Sequence, residues 1–542
     1  MVRLSTFLAA VSVSLSGQAD IYFSPAFNTE EARSGMESIS RTDLEAHLKF
    51  LASDITEGRA TGEPGLDIAA EYIVSQFRRI GLTPVGGGKS YYQRYELIKT
   101  KLGDNSELSL LVDHGAGSVR EAFQYGEDFF VSPRGLTGSM EVQAPILFAG
   151  YGITAEEYHY DDYTGITAEN SIVLIIDGEP ELDNPSRFSG ETDTRYADLR
   201  EKLATAKKNG AAAILVASNP KSEELFSDKF KRWKNWLRRE GMSLPTSEAT
   251  VPVFTLSETA ADRIVASSGK TLRQLQIELE SEGRSNSQAL SRSYVRLNVD
   301  LEKETIVSQN VAGYFPGSDP FIGHETVAVS AHYDHVGKNS EGKIYYGADD
   351  NGTGTSALME IAEAVVSNNN APRRGFLFLA VSGEERGLLG SQYYVEKPLL
   401  PLSNTVADLN IDMIGRNAPD SIYVIGSNMI SQDLHDINEF AASQMDDLFL
   451  NYRYNAKDDP QRFYYRSDHY NFAKFGIPIV FYFAGTHKDY HKPTDTVDKI
   501  NFAKVEKVSR LIFLTGWGVA NNETRPRKNA GQLPKLPDQI KY

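Results

Sequence analysis

The sequence has no cysteine. That absence excludes disulfide staples, thiol nucleophiles and thiolate metal sites together. Positive charge is in short supply: 56 Lys and Arg face 73 Asp and Glu, a formal net charge of −17. This balance argues against binding nucleic acid or an anionic membrane surface through bulk charge. Beyond the first residues, no stretch approaches the roughly 18 uninterrupted apolar residues of a membrane helix. Histidine is scarce, with 10 in the chain, and seven of them (His324, His332, His335, His435, His469, His487 and His491) fall in the last 220 residues. A bound metal would have to be held by imidazole and carboxylate, and the skew of histidine marks where.

What remains is ordinary globular material. The 542 residues are 41% hydrophobic and 24% charged, enough apolar surface for a large core and too much for wholesale disorder. The N-terminus reads as an export signal. Arg3 gives a positive start, residues 4–15 are apolar but diluted by Ser5, Ser12 and Ser14, and Gly17-Gln18-Ala19 is a small-x-small cleavage site. The expectation is a signal peptide over 1–19 and an exported chain, periplasmic or extracellular. With no cysteine after the signal, a lipid anchor is not expected there.

Periodicity divides the rest. Residues 36–125 open with two helices. The first has a capping box, Thr42-x-x-Glu45, with Leu44, Leu48 and Leu51 on one face. A turn with Gly58, Arg59 and Gly62 leads to the second, whose stripe is Ala69, Ile73, Phe77 and Ile80 and which Gly81 stops. Residues 126–289 read as a separate insert, with strand-like runs at 146–149, 172–176, 213–216 and 251–256 and a helix over 196–209. Over 290–522 apolar strands (326–330, 376–381, 407–411, 477–483) alternate with helices such as 354–367 and 501–520. Such strands imply a mostly parallel sheet buried on both faces. Residues 523–542 form a Pro-, Lys- and Asn-rich tail.

In open α/β sheets, ligands bind beyond the carboxyl ends of the strands. The residues that follow each strand are therefore the informative ones. They are His332, Asp334 and His335; then Asp349 and Asp350 in a glycine-flanked turn; then Glu384 and Glu385; then Asp412; then Tyr490 and His491. Each alone has an ordinary explanation as a turn, a cap or a solvated acid. Five such groups in this order deliver hard oxygen and imidazole ligands toward one sheet edge. Two zinc-like ions within about 4 Å need an anionic bridge, which one aspartate can supply with its two oxygens. A separate carboxylate must take a proton from the water between them, and Glu384 and Glu385 offer base and ligand side by side.

The motifs AHYDHVG (331–337), GADDNGTG (347–354), SGEERGLLGS (382–391), NIDMIGR (410–416) and YHKPTDT (490–496) resemble those of the co-catalytic zinc aminopeptidases, a family that also contains glutamate carboxypeptidases. The early GRxxG turn, the FxxIGLxP run (77–84) and RSDH (466–469) are similar too. The resemblance covers about 36–125 and 290–520, and the insert resembles a protease-associated (PA) domain. It implies an α/β, three-layer helix–sheet–helix peptidase domain with a mixed, mostly parallel central sheet, interrupted by a smaller β-rich PA domain. It also implies two Zn2+ per chain, one held by His332, Asp349 and Asp412, the other by Asp349, Glu385 and His491, with a cis bond at 349–350. Glu384 would be the general base, Tyr490 would bond the oxyanion, Asp334 would orient His332, and Arg466 would help hold substrate. His335, His469 and His487 receive no ligand role. The expected partner is a peptide or protein substrate, with no nucleic acid and no membrane. Alternatives on the same fold are a glutamate-releasing carboxypeptidase, a glutaminyl cyclase, or a receptor-like chain that has lost catalysis.

Overall fold

The computed structural model describes residues 30–530 apart from 88, 114–116, 134–135, 181–187, 189–192, 238–239, 247–250, 283–284, 369 and 457–458. The expected signal at 1–19 and most of the 523–542 tail lie outside the described residues. Local chemistry sets the first helices. Ser40, rather than the Thr42 box, caps Arg41–Leu51: its extended backbone (φ −121°) lets the hydroxyl accept from Asp43 N at 3.2 Å. Pro64 opens the helix Pro64–Ile80, and Gly81 at φ 88° ends it, as its sequence expects.

The larger sheet has ten strands. Thr326–His332 sits at its centre, parallel to both Gly375–Val381 and Thr405–Ile411, and the latter is parallel to Ile479–Phe483. Both flanks are antiparallel: Leu301–Phe315 pairs with Gly375–Val381 and with Tyr92–Leu102 on one side, Ser421–Ile425 with Ile479–Phe483 on the other. The sheet is thus mixed, and parallel only through its centre.

Alternate residues of the central strands feed two cores. Val327, Val329 and Ala331 face one, with Leu358, Ile361, Val508 and Ile512 from the helices Gly354–Val366 and Phe502–Asn521. Ala328, Leu377, Leu379 and Phe481 face the other, with Tyr394 and Phe472 from Leu389–Glu396 and His469–Lys474. Helices therefore cover both faces, which is why these strands read as continuous apolar runs.

The second unit has its own eight-stranded sheet, from Glu107–Asp113 through Gln288–Val299. The sequence divisions at 126 and 289 fall inside it; the exposed strand Ser118–Ala122, with the sequence SVREA, carries a weak apolar signal. The long pair Tyr92–Leu102 and Leu301–Phe315 forms the neck, in register from Val311 opposite Tyr92 to Leu301 opposite Leu102.

Candidate metal centre

Four parallel or adjacent strands end at one edge, and each hands a polar residue to the same space. His332 is the last residue of Thr326–His332. Val381 closes its strand, and Gly383 at φ 74° turns the chain so that Glu384 and Glu385 follow in a 3-10 turn. A side chain at Gly383 would be strained at this φ and would sit 3.2 Å from Leu389 Cβ. Asp412 follows Thr405–Ile411. The loop after Ile479–Phe483 brings His487, Tyr490 and His491.

The distances show which residues meet. His332 Nε2 lies 3.3 Å from Asp412 Oδ1, 3.6 Å from Asp350 Oδ1 and 4.0 Å from Glu384 Oε2. His491 Nε2 lies 3.1 Å from Asp350 Oδ2 and 3.1 Å from Glu385 Oε2. His335 Nδ1 lies 2.9 Å from Glu385 Oε1 and 3.7 Å from Asp350 Oδ2. Asp350 therefore spans the two halves, one oxygen toward His332 and the other toward His491.

Asp349, the residue expected in that role, points elsewhere. Its Oδ1 accepts from Gly415 N at 2.6 Å and from Thr353 Oγ1 at 3.1 Å, while Oδ2 faces His487 Nε2 at 3.3 Å. Its Oδ1 is held by the scaffold and its Oδ2 faces His487, so Asp350 rather than Asp349 stands between His332 and His491. The cis peptide is likewise Asp350–Asn351, not the bond before it. Asp495 Oδ2 accepts from the backbone N of both Asp349 and Asp350, at 2.9 and 3.2 Å, and fixes the turn.

Several atoms of these groups are buried and have no hydrogen-bond partner: His332 Nε2, Asp350 Oδ2, Glu385 Oε1, Asp412 Oδ1 and His491 Nε2. Buried polar atoms are ordinarily satisfied, and clustered carboxylates repel. Orphaned atoms converging on one space are what a divalent cation would satisfy, and the donor set of imidazole and carboxylate suits zinc. Among the described residues, two groups have ligand atoms close enough to hold an ion: His332, Glu384 and Asp412, and His335, Asp350 and Glu385.

Electrostatics separates the two adjacent glutamates. Burial pushes the Glu384 carboxyl well above its ordinary range, aided by Glu385 and Asp412 and opposed by His332. Burial acts on Glu385 in the same direction, but His491 and His335 outweigh it and hold that carboxyl well below. Burial lowers His491, but Glu385 and Asp350 raise it to about 11. Burial first, then Asp350, Glu385 and Glu384, keep the Tyr490 phenol protonated far above its usual range, and its ring stacks on His491 with centroids 3.9 Å apart.

Supporting residues complete the frame. Asp334 accepts from Glu384 N at 3.2 Å and from Thr61 Oγ1 at 2.9 Å; its backbone carbonyl lies 3.2 Å from His332 Nδ1. Ser467 Oγ donates to Asp412 Oδ2 at 2.8 Å. Arg466 places its guanidinium over the Phe463 ring at 4.6 Å and bears electrostatically on Tyr490. The GRxxG turn has a clear task. Arg59, 1% exposed, donates to Tyr333 O at 2.8 Å, Tyr346 O at 2.8 Å and Gly347 O at 2.9 Å, tying together the loops that carry His332 and Asp350. Sequence reading missed Asp350, and it missed His335 beside Glu385. The signals were the Asp-Asp doublet and the His-x-Asp-His run, which puts His335 three residues after His332.

Residues 310–515 match the family model of peptidase family M28. A probable leucine aminopeptidase of Trichophyton verrucosum is 30% identical over 42% of this chain and 62% of its own length. The chain thus spans about three fifths of that relative. The probable lipoprotein aminopeptidase LpqL of Mycobacterium tuberculosis is 23% identical over 89% of this chain and 84% of its own. Among solved structures, an aminopeptidase from Aneurinibacillus sp. strain AM-1 superposes with a TM-score of 0.53, at 18% identity, over 94% of this chain and 99% of that one. That likeness is one of fold.

Proposed function

We propose, from a chain whose residues 310–515 match peptidase family M28, a zinc-dependent aminopeptidase that removes N-terminal residues from peptides or proteins. The observation that carries this reading is Asp350, whose two oxygens lie 3.6 Å from His332 Nε2 and 3.1 Å from His491 Nε2. His332, Asp350 and Asp412 would hold one ion; Asp350, Glu385 and His491 would hold the other. Asp350 thus takes the bridging role first expected of Asp349. When bound, the ions would polarise the scissile carbonyl and make a water acidic enough to attack near neutral pH.

The chain's own residues do the rest. Glu384, not committed to a strong partner, takes the proton of the attacking water on its carboxylate. A carboxyl pushed upward by burial both accepts that proton and returns it readily, here to the leaving amine nitrogen. Tyr490, held as a phenol, donates to the oxygen on which charge develops. Asp334 keeps the Glu384 turn and His332 in mutual register, and Arg466 helps hold substrate beside Tyr490. The second unit is read as a PA-like insert, a lid or spacer that narrows access. Export rests on Arg3, the apolar run and the Gly17-Gln18-Ala19 site. No helix among the described residues is long and apolar enough to cross a membrane.

The test is Glu384→Ala assayed on aminoacyl-nitroanilides. Turnover should fall about 10²–10⁴-fold with metal content unchanged. Undiminished turnover would sink the reading.

A further inference from the structure

Residues Gly241–Leu244 belong to the second unit by sequence, yet they leave its sheet. Gly241–Ser243 pairs antiparallel with Ile98–Thr100, at the edge of the catalytic sheet. Pairing alone would make this segment a tether. Its side-chain contacts go further. Leu244, 1% exposed, packs with Tyr95, Leu97 and Leu389 rather than with the core of its own unit. The strand also lies against the turn Glu384–Arg386.

Tyr95 carries the contact onward. Its hydroxyl donates to Ser382 O at 2.9 Å and lies 2.8 Å from Ser382 Oγ. Its ring stacks on Tyr393 with centroids 4.9 Å apart. A methyl at Gly383 would lie 3.3 Å from the Tyr95 hydroxyl and 3.2 Å from Leu389 Cβ, and Leu389 N bonds Gly383 O at 3.0 Å. A continuous line of packed atoms runs from Leu244, through Tyr95 and Leu389, to the two residues that precede Glu384. The Lys99–Glu240 pair at 2.8 Å anchors the segment from the other side.

We propose that Leu244 is a positioning residue of the active site, supplied by the insert to set the turn that carries Glu384 and Glu385. The proposal rests on the roles given to those two glutamates above. Groups that act through a ligand commonly change metal affinity or turnover by about 10–100-fold, because a small misplacement of the reacting carboxylate is enough.

The experiment compares two full-length variants that lose the same side chain, Leu244→Ala and Leu279→Ala. Leu279 is equally buried but lies in the second unit's own core. Zinc affinity of the stripped protein is titrated against a competing chelator, and kcat and KM are measured on a leucyl-nitroanilide. Leu244→Ala should weaken zinc binding and lower kcat, each about 10–100-fold, with KM within about twofold. Leu279→Ala should lower only the melting temperature. Leu244→Met should restore most of the loss, since its volume is close to that of leucine, and it serves in place of Leu244→Ala should the alanine variant not fold, with a smaller shift in the same direction. Equal zinc affinity and equal kcat in the Leu244 and Leu279 variants would overturn the proposal. Wild-type protein that binds zinc but cleaves no amide would instead overturn the functional reading, and the zinc titration would still decide the role of Leu244.

Discussion

In the second unit, the buried charges of Asp162, Lys202 and Glu179 have hydrogen-bond partners. Asp162 accepts from Tyr151 N and Ile153 N, each at 3.0 Å, and from the Tyr160 hydroxyl at 2.7 Å. Lys202 donates to Ile176 O at 3.0 Å and to Gly178 O. Glu179 accepts from the backbone and hydroxyl of Thr194. At the carboxyl edge of the larger sheet the opposite holds: His332, Asp350, Glu385, Asp412 and His491 each keep a buried atom without a hydrogen-bond partner. Both regions bury charge beside a mixed sheet, so burial alone does not mark a site. The convergence of several unpartnered imidazole and carboxylate atoms on one space does.

The contrast can be broken in order of size. Replacing Asp350 with Asn should be the most damaging change, because one oxygen of the bridge becomes an amide. Zinc content by elemental analysis should fall by at least one ion per chain, and turnover by about 10³-fold or more. The same deletion of a charge in the other region should behave differently. Asp162→Ala strands three donors and should cost about 2–4 kcal/mol of stability by denaturant titration, while zinc content stays at the wild-type level.

A smaller effect comes from acid. Burial lowers the His469 imidazole to about 3, so the fold holds it neutral while the unfolded chain protonates near 6.5. Its contribution is complete above pH 6.5 and is lost as pH falls from there toward 3. At pH 5, the His469→Gln variant should have lost about 2 kcal/mol less than wild type, relative to pH 7. The smallest effect lies between the units. Arg462 reaches Glu201 at 3.2 Å and Asp198 at 3.7 Å across the boundary. These side chains are partly solvated, so Arg462→Ala should cost no more than about 1 kcal/mol, and less in high salt.

The sequence makes the three-layer arrangement legible because strands buried on both faces must be apolar throughout, and runs such as 376–381 are. The edge that carries the chemistry is legible for the same reason: polar residues directly after such runs stand out. Which member of the Asp349–Asp350 doublet stands between His332 and His491 is not legible. The choice depends on Gly415 and Thr353, which occupy one oxygen of Asp349 from another strand end and from the following turn. Residue order along the chain holds no trace of that contest. The start of Arg41–Leu51 was misjudged by two residues because Ser40 and Thr42 are both competent caps, and only backbone geometry separates them. The limits of the second unit were drawn too narrowly because an exposed strand such as Ser118–Ala122 alternates weakly.

Arg59 has a consequence for how the chain is made. Its guanidinium is caged by the carbonyls of Leu51, Tyr333, Tyr346 and Gly347. Three of those four acceptors are synthesised more than 270 residues after it. On the ribosome, Arg59 emerges long before its cage exists, and the second unit is completed in between. An N-terminal segment cut off before residue 333 would hold a cation with one of these four acceptors, the Leu51 carbonyl, beside exposed apolar helices. The packing around Arg59 therefore cannot close until residues 333–347 have been made, and a truncation that ends inside the second unit should be recovered as a misfolded chain rather than as a smaller domain.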